Sequence, residues 1–188
     1  MKWLVIVVAY VVIPGIDGSD EQHWQTRWER DWGCTAVRIS PTSWSAPDLD
    51  NWVDAVQVAY DHSVERDPDV VLVAHSLGCW AASRWLTKNP ERLVWGAFMV
   101  APPDLNGQGF PRQAAPTFLG AEPEPLECPS RVVASVNDPY CTVDAAVQIA
   151  AGWGSPLHLA GSVGHINSAS GLGWWRDGRD LLDTFVKR

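Results

Sequence analysis

Asp69-Val70-Val71-Leu72-Val73-Ala74-His75-Ser76-Leu77-Gly78 is the stretch of sequence that decides the fold. A branched apolar run ends there in a small-His-Ser-x-Gly turn, and a helix-compatible stretch follows. A serine at a tight strand-to-helix turn is exposed to a base, and small residues must flank such a turn. Gly78 is one of them, and Ala74 stands where the commoner G-x-S-x-G form has glycine. We interpret Ser76 as the nucleophile of a nucleophile elbow; the alternative is a serine that only caps the helix.

Two later loops supply an acid and a base in the chain order that an elbow of this kind requires. Residues 131–136 predict a strand, and the turn after it carries Asp138. Residues 156–160 predict the next strand, and the loop after it carries His165 beside a glycine. Taken singly, Asp138 also fits an Asx turn and His165 a solvated loop histidine. Because each follows a separate strand in the required order, we predict a triad of Ser76, Asp138 and His165.

The remaining histidines are poorer candidates for the base: His23, His62, His75 and His158. His23 and His62 lie in stretches with helical periodicity, and His158 lies inside a predicted strand. His75 directly precedes Ser76, and the alternation of side chains along a strand predicts that it points to the opposite side. We therefore expect His75 to pack against the elbow or shape it.

Five blocks of sequence resemble the small serine hydrolases related to retinoblastoma-binding protein 9, within the α/β-hydrolase superfamily. The blocks are 14–19 with His23-Trp24-Gln25 and Trp28, then 74–78, 100–104, 137–140, and 164–168 with Gly171. They occur in order and span nearly the whole chain. The resemblance implies a compact hydrolase core whose serine, aspartate and histidine fall on Ser76, Asp138 and His165. It implies esterase chemistry more strongly than any particular substrate.

Length and patterning predict a single α/β-hydrolase domain over residues 1–188. A chain of 188 residues that is 46% hydrophobic has enough material for one core and too little for two ordinary domains or a large cap. Alternating strand and helix patterns predict a mostly parallel sheet of about six strands with helices on both faces. We predict strands near 3–13, 36–40, 69–74, 93–101, 131–136 and 156–160. We predict helices near 20–32, 50–65, 77–88, 142–151 and 174–187.

The apolar run at residues 3–13 also resembles a short secretory signal, because Met1-Lys2 precedes it. We interpret it as a strand, since it leads directly into Pro14-Gly15-Ile16-Asp17 and no convincing small-residue cleavage site follows. It is also shorter than the roughly 20 apolar residues of a membrane span. We expect a cytoplasmic protein.

Charge and cysteine content argue against several kinds of partner and cofactor. The net charge is −8, and the 14 basic residues form no cluster longer than a pair, which argues against nucleic acid and anionic membrane surfaces. The four cysteines contain no C-x-x-C pair, so neither a zinc site nor a disulfide scaffold is indicated. We expect no metal or organic cofactor. A thiol nucleophile at Cys141, near Asp138, is a weaker alternative to Ser76.

Two further features predict how a substrate is enclosed. Five of the twelve tryptophans lie near loops or helix starts on the expected active face, where aromatic side chains often wall a ligand site: Trp44, Trp80, Trp153, Trp174 and Trp175. The segment 102–129 is rich in proline and has little periodicity. Its length predicts a functional loop or a rudimentary lid over the site.

Together these features predict a serine carboxylesterase that cleaves small acyl esters through an acyl-enzyme. The oxyanion is expected to bind the backbone N–H of Leu77 and one from residues 15–17, for which we choose Ile16. Two alternatives stay open. One is a non-catalytic or weakly catalytic interaction module on a hydrolase fold, although no protein partner is indicated. The other is an acyltransferase or peptidase with the same triad.

Overall fold

The computed structural model describes residues 8–187, in which strands and helices alternate. The strands are β1 (Ala9–Ile13), β2 (Ala36–Arg38), β3 (Val70–His75), β4 (Gly96–Val100), β5 (Ser130–Ala134) and β6 (Leu157–Leu159). The α-helices are α1 (Trp24–Trp32), α2 (Leu49–Val64), α3 (Leu77–Lys88), α4 (Val143–Trp153) and α5 (Arg176–Val186). The predicted elements are therefore found in order, while the part of the first predicted strand before residue 8 lies outside the described residues.

The six strands form a sheet in the order β2-β1-β3-β4-β5-β6. Within residues 8–187, every neighbouring pair of strands is parallel. The chain leaves β1 to add β2 on one side and then returns to add β3 on the other. The carboxyl ends of β1 and β3 thus lie where the strand order reverses, which is where open parallel sheets form ligand crevices.

Helices cover both faces of the sheet, as predicted. In β3, Leu72 and Ala74 face a core that contains side chains of α2, α3 and α4. Their neighbours Val71 and Val73 face the opposite core, which contains side chains of α1 and α5. Because both faces are covered, β1, β3 and β4 are buried along their whole length, which explains their continuous apolar sequences. No helix within the described range is long and apolar enough to cross a membrane.

The connection between β4 and β5 contains the proline-rich segment 102–129. Its only helical element in the structure is a three-residue 3-10 helix at Pro116–Phe118. The side chains of Phe110 and Phe118 are buried in the core on the α2, α3 and α4 face. The segment is thus a packed loop and not a separate cap domain, in agreement with the prediction that no large cap is present.

Candidate active site

Ser76 lies on the sharp turn between β3 and α3. Its backbone has φ 53° and ψ −127°, a conformation that residues other than glycine rarely adopt. Close packing explains the glycines around it. A Cβ on Gly78 would clash with the carbonyl oxygens of Ile13 and Pro14, and one on Gly15 would lie 2.7 Å from the Cβ of Ser76. The elbow therefore sits directly against the loop that follows β1.

The structure brings the three predicted triad residues together. The hydroxyl oxygen Oγ of Ser76 lies 2.9 Å from Nε2 of His165, and Nδ1 of His165 lies 2.8 Å from Oδ2 of Asp138. A carboxylate only accepts hydrogen bonds, so Nδ1 carries the proton and Nε2 is left to accept from the Ser76 hydroxyl. The side chains of His165 and Asp138 are 9% and 2% exposed, so bulk water does not compete for these hydrogen bonds.

The loop that carries His165 is attached to the loop that carries Asp138. The side-chain oxygen of Asn137 accepts a hydrogen bond from the backbone N–H of Gly164 at 2.8 Å. The hydroxyl of Ser135 accepts one from the N–H of Val163 at 3.0 Å. Because both acceptors lie within three residues before Asp138 in the chain, these bonds hold the base loop at a fixed distance from the acid.

His75 supports His165 from behind. Its Nε2–H donates to the backbone carbonyl of His165 at 2.9 Å, and the two ring centroids are 5.0 Å apart. The ring of His23 packs against His75 on another side, with centroids 4.7 Å apart. Burial lowers the pKa of His75 well below its usual range and that of His23 to about 4, so both rings are neutral at pH 7. The His75 ring thus packs against His23 and Trp24, on the face of β3 to which Val71 and Val73 also point, while the residue is also among those that line the cavity of Ser76.

Two residues at the start of α1, Gln25 and Trp24, also hold the site, a role that helical periodicity does not predict. The side-chain amide of Gln25 donates to the carbonyls of Ile13 at 3.2 Å and Val73 at 3.0 Å, which joins the ends of β1 and β3. The indole N–H of Trp24 donates to the carbonyl of Ile166 at 2.8 Å, where φ is 50°. The one sequence signal for them was their place in the resemblance, because helical periodicity alone indicates only a buried face.

A cavity of about 630 Å³ lies in front of the Ser76 hydroxyl. Its walls include residues from the loop after β1, the 102–129 segment, the acid loop and the base loop: Gly15, Ile16, Pro103, Pro111, Tyr140 and Asn167. Pro103 and Pro111 of the segment 102–129 thus form part of the cavity wall. A second cavity, of about 430 Å³, lies between α2, α3 and residues 117–124 and contains neither Ser76 nor His165.

The prediction that some of the five tryptophans wall an acyl pocket is not met in the cavity in front of Ser76. No tryptophan within residues 8–187 is among the lining residues of the cavity in front of Ser76. The indole N–H of Trp80 donates to the carbonyl of Pro103 at 3.0 Å, so Trp80 supports the wall from behind. The carbonyl of Trp44 accepts from the N–H of Asp17 at 2.9 Å. Trp153 and Trp175 are buried in the two cores.

The two predicted oxyanion donors are both in the wall of the cavity. Leu77 is the first residue of α3, and amides in the first turn of a helix have no helical carbonyl to bind. On the opposite wall, the N–H of Asp17 donates to Trp44 and the N–H of Gly18 donates to Gly15. Of residues 15–17, this leaves the N–H groups of Gly15 and Ile16, and Ile16 stays the predicted second donor.

The alternative nucleophile Cys141 is poorly suited to the role. Burial raises the pKa of its thiol to about 12, with further contributions from the Asp138 and Asp104 carboxylates. The reactive form of cysteine is the thiolate, which such a pKa makes scarce at neutral pH. The side chain is buried and is not among the lining residues of the cavity.

An elbow serine joined to a histidine and an aspartate at the carboxyl edge of a parallel sheet is the arrangement of the α/β hydrolases. Fold and site together assign the chain to this class. A model of the serine hydrolase family matches residues 10–184, and the chain belongs to that family. This confirms the resemblance to small serine hydrolases of the α/β-hydrolase superfamily.

Solved structures share this fold, and one of them is also similar enough in sequence to support the family assignment. A YdeN-like hydrolase from Pectobacterium atrosepticum is 32% identical, with 96% of this chain and 91% of that chain covered and a TM-score of 0.81. The ydeN gene product of B. subtilis is 21% identical, with 96% and 99% covered and a TM-score of 0.69. The metagenome-derived lipolytic enzymes LipS and LipT are represented by a structure at 15% identity, 96% and 94% coverage and a TM-score of 0.71. The last two comparisons show the fold alone. A search of curated proteins finds no match.

Proposed function

We propose that this serine hydrolase is a carboxylesterase that cleaves small acyl esters through a covalent acyl-enzyme on Ser76. The observation that carries the proposal is the 2.9 Å contact between Ser76 Oγ and His165 Nε2, with Asp138 bound to the other ring nitrogen. The cavity in front of this contact is large enough for a small ester. The description of a structural neighbour as lipolytic supports ester chemistry.

In the proposed reaction, His165 Nε2 takes the proton of Ser76 as Oγ attacks the ester carbonyl. Asp138 holds the imidazole in the required tautomer and stabilises the imidazolium that forms. The N–H groups of Leu77 and Ile16 donate to the developing oxyanion. The imidazolium then protonates the leaving alcohol, and His165 activates a water molecule that releases the acid from Ser76. The scheme uses no metal and no organic cofactor.

Fluorophosphonate labelling tests the nucleophile without knowledge of the substrate, because the probe reacts with activated serines. We expect one adduct, located at Ser76 by peptide mapping, and none in Ser76→Ala. Ser162→Ala is the matched control, since Ser162 is an exposed loop serine near the same edge of the sheet, and it should label like the wild type. A folded wild-type protein without an adduct, or an adduct that persists in Ser76→Ala, would refute the assignment.

A panel of acyl esters with matched amides distinguishes the carboxylesterase from the alternatives on the same triad. We expect esters to be hydrolysed by the wild type and not by Ser76→Ala, and the matched amides to be much slower. Faster cleavage of the amides would indicate a peptidase. Acyl transfer to an added alcohol in preference to water would indicate a transferase. Absence of both turnover and labelling would favour the interaction module.

We also propose that the enzyme works in the cytoplasm. The thiols Cys34, Cys79, Cys128 and Cys141 are all free, which fits a reducing compartment. Fractionation of the cells that produce the protein, with an antibody against the native chain, tests this. Recovery of the enzyme outside the cytoplasmic fraction would contradict it.

A further inference from the structure

We propose that the active-site pocket prefers esters that carry a positive charge and discriminates against anionic ones. This inference rests on the proposed esterase function. Two aspartates, Asp17 and Asp20, line the cavity in front of Ser76. Within the described residues, no lysine or arginine is among the lining residues of that cavity. Among residues 8–187, the charged side chains that line the cavity of Ser76 are therefore negative only.

Asp20 is held in place and in its ionised form. Its Oδ1 accepts hydrogen bonds from the hydroxyl of Ser168 at 2.7 Å and from the N–H groups of Gln22 at 2.8 Å and His23 at 3.0 Å. The bond from Ser168, followed by these amide bonds, holds the pKa of the Asp20 carboxyl below its usual value. The Asp20 carboxylate is thus a fixed negative charge in the cavity wall, and its hydrogen bonds join the segment before α1 to the base loop.

Asp17 places a second carboxylate on the loop that follows β1. The residue is exposed, and its N–H is bound to the carbonyl of Trp44 at 2.9 Å. Its φ is 63°, so the loop turns sharply at this position. The same loop contains Ile16, the proposed oxyanion donor. A charge on Asp17 therefore lies in the wall of the cavity that contains Ser76.

The histidines of the pocket do not offset the two carboxylates. Both His23 and His75 line the cavity, but burial lowers the pKa of His23 to about 4 and that of His75 well below its usual range. They are neutral at pH 7. His165 faces Asp138 directly, so any charge it gains in the reaction is paired with that carboxylate.

Two arginines near the pocket are engaged elsewhere. Arg38 donates from Nε to the carboxylate of Glu29 at 2.8 Å and from its other nitrogens to Ser19 and Thr26. Arg112 follows the lining residue Pro111, and its guanidinium donates to two backbone carbonyls of the 102–129 segment. Neither guanidinium is among the groups that line the cavity.

Tyr140 adds a second feature that recognises a cation. It lines the same cavity and is 38% exposed, with its ring centroid 4.6 Å from that of His165. Aromatic rings attract ammonium groups through their quadrupole, and carboxylates attract them through charge. The combination of two carboxylates and an exposed ring suits an ester with an ammonium group. It repels substrates that carry phosphate or carboxylate groups, as thioesters of nucleotide-containing carriers do.

Three esters of one acid separate charge from size: butyrylcholine, its neutral carbon isostere 3,3-dimethylbutyl butyrate, and 2-sulfoethyl butyrate. We expect kcat/KM to fall in that order, by roughly fivefold at each step in low salt, as expected for one charge acting across a partly solvated site. Raising the salt concentration should bring the three values together, because exposed charges are screened over about 10 Å at 0.1 M salt. Equal values for all three esters in low salt would overturn the inference.

Two variants with the same change in net charge show whether the preference for cationic esters comes from the pocket or from the charge of the whole protein. Asp17→Asn removes the charge on the loop, and asparagine tolerates positive φ. Asp54→Asn removes an exposed charge on α2, outside the residues that line the pocket. We expect the ratio of kcat/KM for butyrylcholine to that for its neutral isostere to fall two- to threefold in Asp17→Asn and to stay unchanged in Asp54→Asn, with rough values from the same estimate. Equal falls in both would assign the preference to net charge and overturn the role of the pocket.

The outcomes separate this inference from the function on which it rests. Hydrolysis of the neutral ester that depends on Ser76, without a charge preference, would overturn the inference and leave the proposed function standing. If no ester is hydrolysed at a measurable rate but fluorophosphonate labels Ser76, competition of each ester against labelling gives the same ranking. No turnover and no adduct would overturn the proposed function, and the inference with it.

Discussion

The nucleophile and the base are held by two different kinds of structure. The elbow at Ser76 is fixed by close packing against the loop after β1. The Ser76 side chain makes no capping hydrogen bond to its own helix. His165 is held by polar contacts from distant parts of the chain, including Ser135, Asn137 and His75. Close packing leaves one conformation for the elbow, whereas a loop held by separate hydrogen bonds loses precision one bond at a time. We call the elbow the packed half of the site, and the base loop with its hydrogen-bond partners the polar half. Substitutions in the packed half should mainly destabilise the protein, whereas those in the polar half should mainly lower kcat.

Substitution of Gly78 breaks the packed half and has the largest expected effect. In Gly78→Ala the new Cβ clashes with two backbone carbonyls, which do not move aside as a flexible side chain would. We expect a loss of about 3 kcal/mol in the free energy of unfolding, measured by urea denaturation, together with most of the esterase activity.

Gly120→Ala is the control for the backbone alone. Gly120 has φ 84°, and nothing lies within 4 Å of an added Cβ. This variant carries backbone strain without a clash, and we expect it to lose about 1 kcal/mol and to keep its activity. Equal stability of the two variants would contradict close packing at the elbow.

Removal of the His75 donor tests the polar half. In His75→Leu the carbonyl of His165 loses the hydrogen bond it accepts at 2.9 Å, and the base can shift relative to Ser76. Because small displacements of a catalytic group are costly, we expect kcat to fall roughly tenfold to a hundredfold while KM changes little. Steady-state kinetics on the best ester of the panel measures this split.

His75→Gln shows whether the donor or only the bulk of His75 matters. A glutamine amide can still donate to the His165 carbonyl, so we expect this variant to regain most of the lost kcat. A glutamine variant as slow as the leucine variant, or a leucine variant with unchanged kcat, would mean that His75 does not position the base.

Two buried serines of similar environment separate stability from positioning. Ser135 follows β5 at the active edge and binds the base loop, whereas Ser130 begins β5 at the opposite edge and shares a 2.6 Å hydrogen bond with Ser155. We expect Ser135→Ala and Ser130→Ala each to lose about 1–2 kcal/mol in the free energy of unfolding. Only Ser135→Ala should lower kcat, by roughly threefold for a loop held by several other bonds. Equal kcat values in the two variants would show that the Ser135 bond does not position His165.

The same contrast explains what the sequence could reveal. The strand, turn and helix around Ser76 are a local pattern, because a strand covered on both faces is continuously apolar and a close approach requires glycine. Parallel topology then places the ends of β5 and β6 beside β3, so residues on those loops are natural partners. These features follow from short stretches of sequence, and the structure contains the predicted strands and helices in order.

The supporting contacts could not be predicted in this way. Gln25 reaches the ends of β1 and β3 only because α1 packs across them, and periodicity does not specify which atoms lie opposite. The prediction that some of the five tryptophans wall an acyl pocket fails for a similar reason. Position near a loop in the sequence does not show on which side of that loop an indole packs, and Trp80 packs behind Pro103.

The smallest effect on stability at neutral pH is expected from substitution of His23, whose ring packs against His75 of the polar half. Its Nδ1 caps α1 by accepting from the N–H of Gln25 at 3.2 Å, and burial lowers its pKa from 6.5 to about 4. Between these values the unfolded chain binds a proton that the folded protein does not. Stability therefore falls as the pH drops from about 6.5 to about 4, by up to about 1.4 kcal/mol per pH unit from this residue.

His23→Asn removes the titration and keeps a side-chain acceptor suited to a helix N-terminus. We expect the plot of unfolding free energy against pH to become less steep between pH 6.5 and 4, with this contribution absent at pH 7 and above. His62→Asn, at an exposed histidine on α2, is the matched control for the loss of a histidine. Because burial lowers the pKa of His75 as well, part of the slope should remain in His23→Asn. A slope equal to that of the wild type would mean that His23 is protonated in the folded protein, and the polar half of the site would then carry a charge beside His75.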